Sequence, residues 1–114
     1  YYYYYLLLLL LITTKTIKMY TLDYTKTELD ISRKGSTELP DDLHLFTNLQ
    51  KLNCDNNKLT ELPESIGNLT NLQELACCNN QLTTLPIQLI QCNKIRHLEY
   101  DGNPIEYVPI PLLR

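Results

Sequence analysis

The chain is predicted to fold as an α/β repeat solenoid, with short parallel β-strands on a concave face and short helical or 3-10 returns on a convex one. Two observations predict this. The stretch LQKLNCDNNKLTELPESIGNLTN at 49–71 recurs after 23 residues as LQELACCNNQLTTLPIQLIQCNK at 72–94. The same frame extends backwards over KTELDISRKGSTELPDDLHLFTN at 26–48 and forwards over IRHLEYDGNPIEYVPIPLLR at 95–114. A fixed period of roughly 20–50 residues marks units that cannot bury an apolar face alone and that stack to share one core.

The elements follow from numbering the slots of each copy 1 to 23. Slot 4 is Leu29, Leu52, Leu75 and Leu98, and slot 6 is Ile31, Cys54, Cys77 and Tyr100. Polar residues alternate with them, which is the two-residue period of a half-buried strand. Slot 11 (Ser36, Leu59, Leu82, Ile105) and slot 14 (Leu39, Leu62, Leu85, Val108) are mostly apolar, and slot 14 is followed each time by Pro40, Pro63, Pro86 or Pro109. Apolar residues then return at spacings of three, at slot 18 (Leu43, Ile66, Leu89, Leu112) and slot 21 (Phe46, Leu69, Cys92). Proline suits the start of a helical turn, since its φ is preset and no N–H is lost there. Each copy therefore reads as strand, turn and tight return.

Slot 9 holds Asn57, Asn80 and Asn103. Backbone groups at a bend inside a stack need partners, and an amide side chain supplies both donor and acceptor. A column of asparagines tying neighbouring turns together is expected. The first copy departs from the pattern, with Lys34 in slot 9 and Ser36 in slot 11, as an end copy with no outer neighbour would.

Ahead of the repeats, residues 1–18 open with YYYYYLLLLLLI and are expected to be a low-complexity hydrophobic extension, disordered or an artefact of the reading frame. The apolar run falls short of the roughly 20 residues of a membrane span. It lacks the preceding charge and following small-residue site of a secretory leader. Residues 19–25 are rich in strand formers and are a candidate capping strand over the open end of the stack. The repeat domain is assigned to 26–114, in copies 26–48, 49–71, 72–94 and 95–114, and its fourth copy stops three residues short, as in a fragment of a longer chain.

The composition narrows the function. In 114 residues there is room for one domain. The net charge is −3, with ten Lys and Arg spread along the chain, so nucleic acid is not an expected partner. Three scattered glycines leave no phosphate-binding loop. No metal or other cofactor is expected, because no three ligands converge at this spacing.

With slots 4 and 6 inward, slots 3, 5, 7 and 8 face the concave side. Those sixteen positions hold six carboxylates and two bases, a formal −4 with histidine neutral, and no aromatic anchor. Lys51, Asn53, Asp55, Glu74, His97, Glu99 and Asp101 are the candidate contacts to a partner, and a protein with a basic patch would be steered to them. The plain alternative is a solvated sheet face. Of the four cysteines, Cys54, Cys77 and Cys92 sit in core slots, where a free thiol packs as a small hydrophobe. Cys54 and Cys77 would lie in register about 4.8 Å apart, a strained separation for a disulfide, so a reducing compartment is expected. Cys78 is the only surface thiol. Asp55 and Asp101 beside it oppose ionisation, and His97 is placed about 13 Å away, too far for a dyad. No catalytic residue is expected. The Asn68-Leu69-Thr70 sequon reads as incidental filler of the return.

The pattern LxxLxCxxNxLxxLPxxIxxLxx at 49–71 and its relatives in the neighbouring copies resemble leucine-rich repeats, and the 23-residue unit with its Leu-Pro step resembles the intracellular, Ras-binding-group type. The stretch GNPI at 102–105 resembles the sequence often found near the last repeats of such arrays. The resemblance covers 26–114. It implies a curved solenoid with a concave strand face that binds other proteins, without catalysis and inside the cell. The alternative readings are a membrane-tethered or secreted receptor-like segment with residues 1–12 as a remnant leader, and the targeting fragment of a larger signalling enzyme.

Overall fold

The computed structural model describes residues 1–21 and 23–112, with the backbone alone given for 13–21. Four parallel strands, β1 (Glu28–Asp30), β2 (Lys51–Asn53), β3 (Glu74–Ala76) and β4 (His97–Glu99), form one sheet in the order β1-β2-β3-β4. Glu28 pairs with Lys51, Lys51 with Glu74, and Glu74 with His97, so the strand register equals the 23-residue period. Each strand is followed by a 3-10 return: η1 (Leu43–Leu45), η2 (Glu64–Asn68), η3 (Ile87–Gln91) and η4 (Ile110–Leu112). They stack on one another in the same sequence. The result is an open sheet on one side and a column of tight turns on the other, a repeat solenoid.

Pro63 and Pro86 stand one position ahead of the returns, as N-caps with φ −69°. Their carbonyls accept the first 3-10 bonds, from Ile66 N–H at 3.0 Å and Leu89 N–H at 3.1 Å. A residue with no N–H to offer is well placed there, because the turn asks it only for an acceptor.

The core is the set of repeating slots. Leu52 and Leu75 are 1% exposed, and Cys54, Cys77, Leu59 and Leu82 are fully buried. Leu29 and Leu98, their equivalents in the outer strands, are half-buried, as are Ile105 and Val108 of the last copy. Burial therefore depends on having a copy on each side.

Between strand and return, the chain turns through a left-handed residue in slot 8: Arg33, Asn56 and Asn79 at φ 56–57°, and Gly102 at 74°. Asparagine and glycine tolerate this region best, so the two inner copies meet the turn's demand without strain. The turn is then held by the expected asparagine column. Asn57 donates through Nδ2 to the carbonyls of Ile31 (2.9 Å) and Cys54 (3.0 Å), and its Oδ1 accepts from the N–H groups of Lys34 (3.0 Å) and Ser36 (3.1 Å). Asn80 repeats this between Cys54, Cys77 and Leu59, and Asn103 between Cys77, Tyr100, Asn80 and Leu82. The first copy, lacking its own slot-9 asparagine, borrows that of the second.

The N-terminal expectations need correcting. Tyr2–Thr21 forms a 20-residue helix, α1, where a disordered extension was expected over 1–18. The candidate capping strand over 19–25 does not form among the described residues: 19–21 belong to α1, 24–25 are a turn, and residue 22 lies outside the description. Leucine, methionine and lysine are good helix formers, and no glycine or proline interrupts the stretch. Among the described residues, Tyr24 packs against the first copy. The ring of Tyr24 meets Phe46 edge-on at 4.9 Å, and its hydroxyl donates to Asp42 Oδ2 at 2.8 Å. Leu113 and Arg114, assigned to the fourth copy, also lie outside the described residues.

Candidate functional site

The strand faces line an open groove of about 800 Å³. Slot 3 supplies one row across it, Glu28, Lys51, Glu74 and His97, and slot 5 a second, Asp30, Asn53, Ala76 and Glu99. Asp55 of slot 7 also reaches the groove. Six of the seven predicted contact residues are thus brought together on one surface. Asp101 is not among the lining residues: it lies past the end of β4, in the turn leading to Gly102, where its carbonyl accepts from Asn79 N–H at 2.8 Å. Glu28, Asp30 and Ala76 line the groove but were not singled out, although their slots, shared with Glu74 and Glu99, already placed them there.

The lining side chains differ in how free they are. Lys51 Nζ lies 3.8 Å from both Glu28 Oε1 and Glu74 Oε2, bridging three strands. With side chains 39–68% exposed, such pairs contribute at most about 1 kcal/mol each. Asp30 accepts from the Ser32 hydroxyl at 2.6 Å and from its N–H at 3.0 Å, and these bonds hold its carboxyl below the usual range. Asp55 Oδ1 accepts from Cys78 N–H at 2.6 Å, and Asn53 Oδ1 accepts from Asp55 N–H at 3.0 Å. Asp55 is therefore partly committed to holding the next strand's turn, leaving Oδ2 for other contacts. Among the described residues, the carboxylates of Glu28 and Glu74 meet only Lys51, and that of Glu99 makes no side-chain hydrogen bond or ion pair.

All four cysteines are free. The buried thiols donate to backbone carbonyls: Cys54 to Ala76 (3.2 Å), Cys77 to Glu99 (3.3 Å) and Cys92 to Ile66 (3.2 Å). Burial pushes the Cys54 thiol up to about 12, helped by the Asp55 charge, and pushes Cys77 up further. Cys78, half-buried beside Asp55, is raised too, first by burial and then by the Asp55 charge. A nucleophilic cysteine needs the opposite, a setting that favours the thiolate. Among the described residues, no group of three or more His, Cys, Asp or Glu side chains is arranged to hold a metal ion.

The comparisons with known proteins agree with this architecture. Residues 47–89 match the family model for leucine-rich repeats (2 copies). A solved structure of a leucine-rich repeat protein from Leptospira interrogans is similar, with a TM-score of 0.68 and 45% identity over 70% of this chain. The chain spans only 20% of that protein's length. No curated protein sequence matches the chain. With its 23-residue register, its buried leucine slots and this similarity, the chain belongs to the leucine-rich repeat proteins.

Proposed function

We propose that the chain is a non-catalytic protein-interaction module that takes a partner protein with a basic patch into the groove of its concave sheet. Leucine-rich repeat folds commonly serve as protein-interaction modules. The observation that carries the reading is the balance of charge in the groove: Glu28, Asp30, Asp55, Glu74 and Glu99 against Lys51 alone. Lys51 already lies between two of those carboxylates, so a partner's Lys or Arg side chains would meet surplus negative charge, chiefly at Glu99 and Asp30. Complementary charge of this kind raises association rates and selects partners more than it adds affinity. Four free thiols, three of them bonded to carbonyls in the core, support a reducing, intracellular setting. No helix among the described residues is long and apolar enough to cross a membrane.

The test is a pull-down with the full chain and with a Glu74→Lys/Glu99→Lys variant, the bound proteins being identified by mass spectrometry. A partner retained by the native chain and lost by the variant, and eluted by moderate salt, supports the reading. Equal recovery by both proteins would remove the groove from the binding surface.

A further inference from the structure

The convex side changes character halfway along the stack. Slot 13 is Glu38, Glu61, Thr84 and Tyr107, and slot 16 is Asp41, Glu64, Ile87 and Ile110. In the first two copies both slots are acidic, Asp42 adds a further carboxylate, and slots 12–20 contain no Lys or Arg. In the last two copies the same positions expose Ile87 (49%), Ile110 (83%) and Tyr107 (62%), with Ile90 (40%) beside them. Because η3 packs between η2 and η4, Ile87 and Ile110 are neighbours at the start of successive returns. Glu64 continues the same row on the other side.

We propose that this convex strip docks a short segment of a partner protein that is apolar at one end and cationic at the other. Exposed isoleucines clustered at equivalent positions, next to a polar rim, mark interaction surfaces better than they fit a solvated one. The core slots give no reason for isoleucine at slot 16, since slots 14 and 18 on either side already fill the interior: Leu85 is 1% and Leu89 3% exposed. Charge complementarity sets the polarity of the occupant: its apolar end covers η3 and η4, and its Lys or Arg end lies over Glu61, Glu64, Glu38 and Asp41. Copies spaced by about 4.8 Å give a strip on the order of 15 Å long. That accommodates about ten residues of helix at 1.5 Å each. The strip shares no residue with the concave groove, so the two surfaces can be tested apart.

The probes are two labelled synthetic peptides of one composition, the first a leucine block followed by a lysine block, the second the same residues in alternation. Fluorescence anisotropy reads their binding to the full chain. The block peptide is expected to bind saturably and more tightly than the alternating one. Ile87→Lys/Ile110→Lys and Glu61→Lys/Glu64→Lys are each expected to weaken it at least about tenfold, and Glu74→Lys/Glu99→Lys to leave it within about twofold. Exposure of all four convex side chains keeps the fold intact in these variants, which a urea midpoint checks, and the two convex pairs are independent of each other. Absence of saturable binding, equal binding of the two peptides, or a loss in the groove variant as large as in the convex ones overturns the proposal.

Discussion

Asn80, 6% exposed, bonds the backbone of its own copy through Cys77 and that of the preceding copy through Cys54 and Leu59. Truncating it strands several buried backbone groups at once, and a buried group left unpaired costs more than an average hydrogen bond contributes. Asn80→Ala is expected to lower unfolding free energy by about 2–4 kcal/mol. Lys51→Ala, which removes both exposed ion pairs of the groove, is expected to cost less than about 1 kcal/mol. Urea midpoints at constant m-value measure both. The asparagine role was legible in the sequence because three copies share the residue in one slot, and the chemistry of an inward-turning backbone left it one task. The dual commitment of Asp55 was not, because its bond to Cys78 N–H depends on a 2.6 Å approach between copies that no spacing rule encodes.

The buried thiols make a prediction of opposite pH sense from most acid-sensitive contacts. An unburied thiol ionises near 9.0, whereas Cys54 in the fold holds its proton up to about 12 and Cys77 further still. The folded state thus binds more protons than the unfolded one across that interval. Their contribution to stability is complete below about pH 9 and is lost as the pH rises towards 12. Cys54→Ala/Cys77→Ala should flatten the alkaline limb of the stability–pH curve relative to the native chain, although it lowers stability at neutral pH by opening space in the core. An alkaline limb of unchanged slope would show that other groups set it. Under native conditions iodoacetamide should modify Cys78 first, with the other three cysteines reacting only in denaturant.

Among the elements, η2 and η3 approach each other closely at Gly67. A side chain at Gly67 would bring its Cβ within 2.8 Å of the Gln88 carbonyl and onto the Gln91 side chain. The equivalent positions are His44 and Ile90, so the close approach belongs to the η2–η3 step and not to the repeat in general. Gly67→Ala is expected to destabilise the fold by about 1–3 kcal/mol through overpacking, read by thermal or urea unfolding; a neutral result would mean that η2 and η3 separate freely. The strands, the returns and their register were legible because a period imposed on apolar residues fixes both the element and its neighbour. α1 was not legible by that route. Runs of tyrosine and leucine have no periodicity to interpret, and only propensity and the lack of breakers favour the helix. Nor did composition reveal that Tyr24 would meet both Phe46 and Asp42 at the start of the stack.

At the scale of the whole molecule, one rule builds both surfaces. Slots that point inward are mostly leucine, isoleucine or cysteine, with Phe46, Val108 and Tyr100 among them, and the slots between them are free to vary, on the strand face as a mixture of polar residues that includes five carboxylates and along the returns as a change from acidic to apolar. Six of the seven candidate contacts converge because alternate residues of parallel strands in register must share a face. Asp101 holds the same slot as Asp55 but belongs to the last described copy, and it is not among the lining residues. The measurement that tests the account most directly is the affinity of the captured basic partner for the native chain and for Glu74→Lys/Glu99→Lys, at low and high salt, alongside the urea midpoint of each. The account predicts at least about a tenfold loss of affinity in the variant, a weaker salt dependence, and a midpoint that corresponds to a loss of stability of no more than about 1 kcal/mol. Undiminished affinity in a folded variant would contradict it.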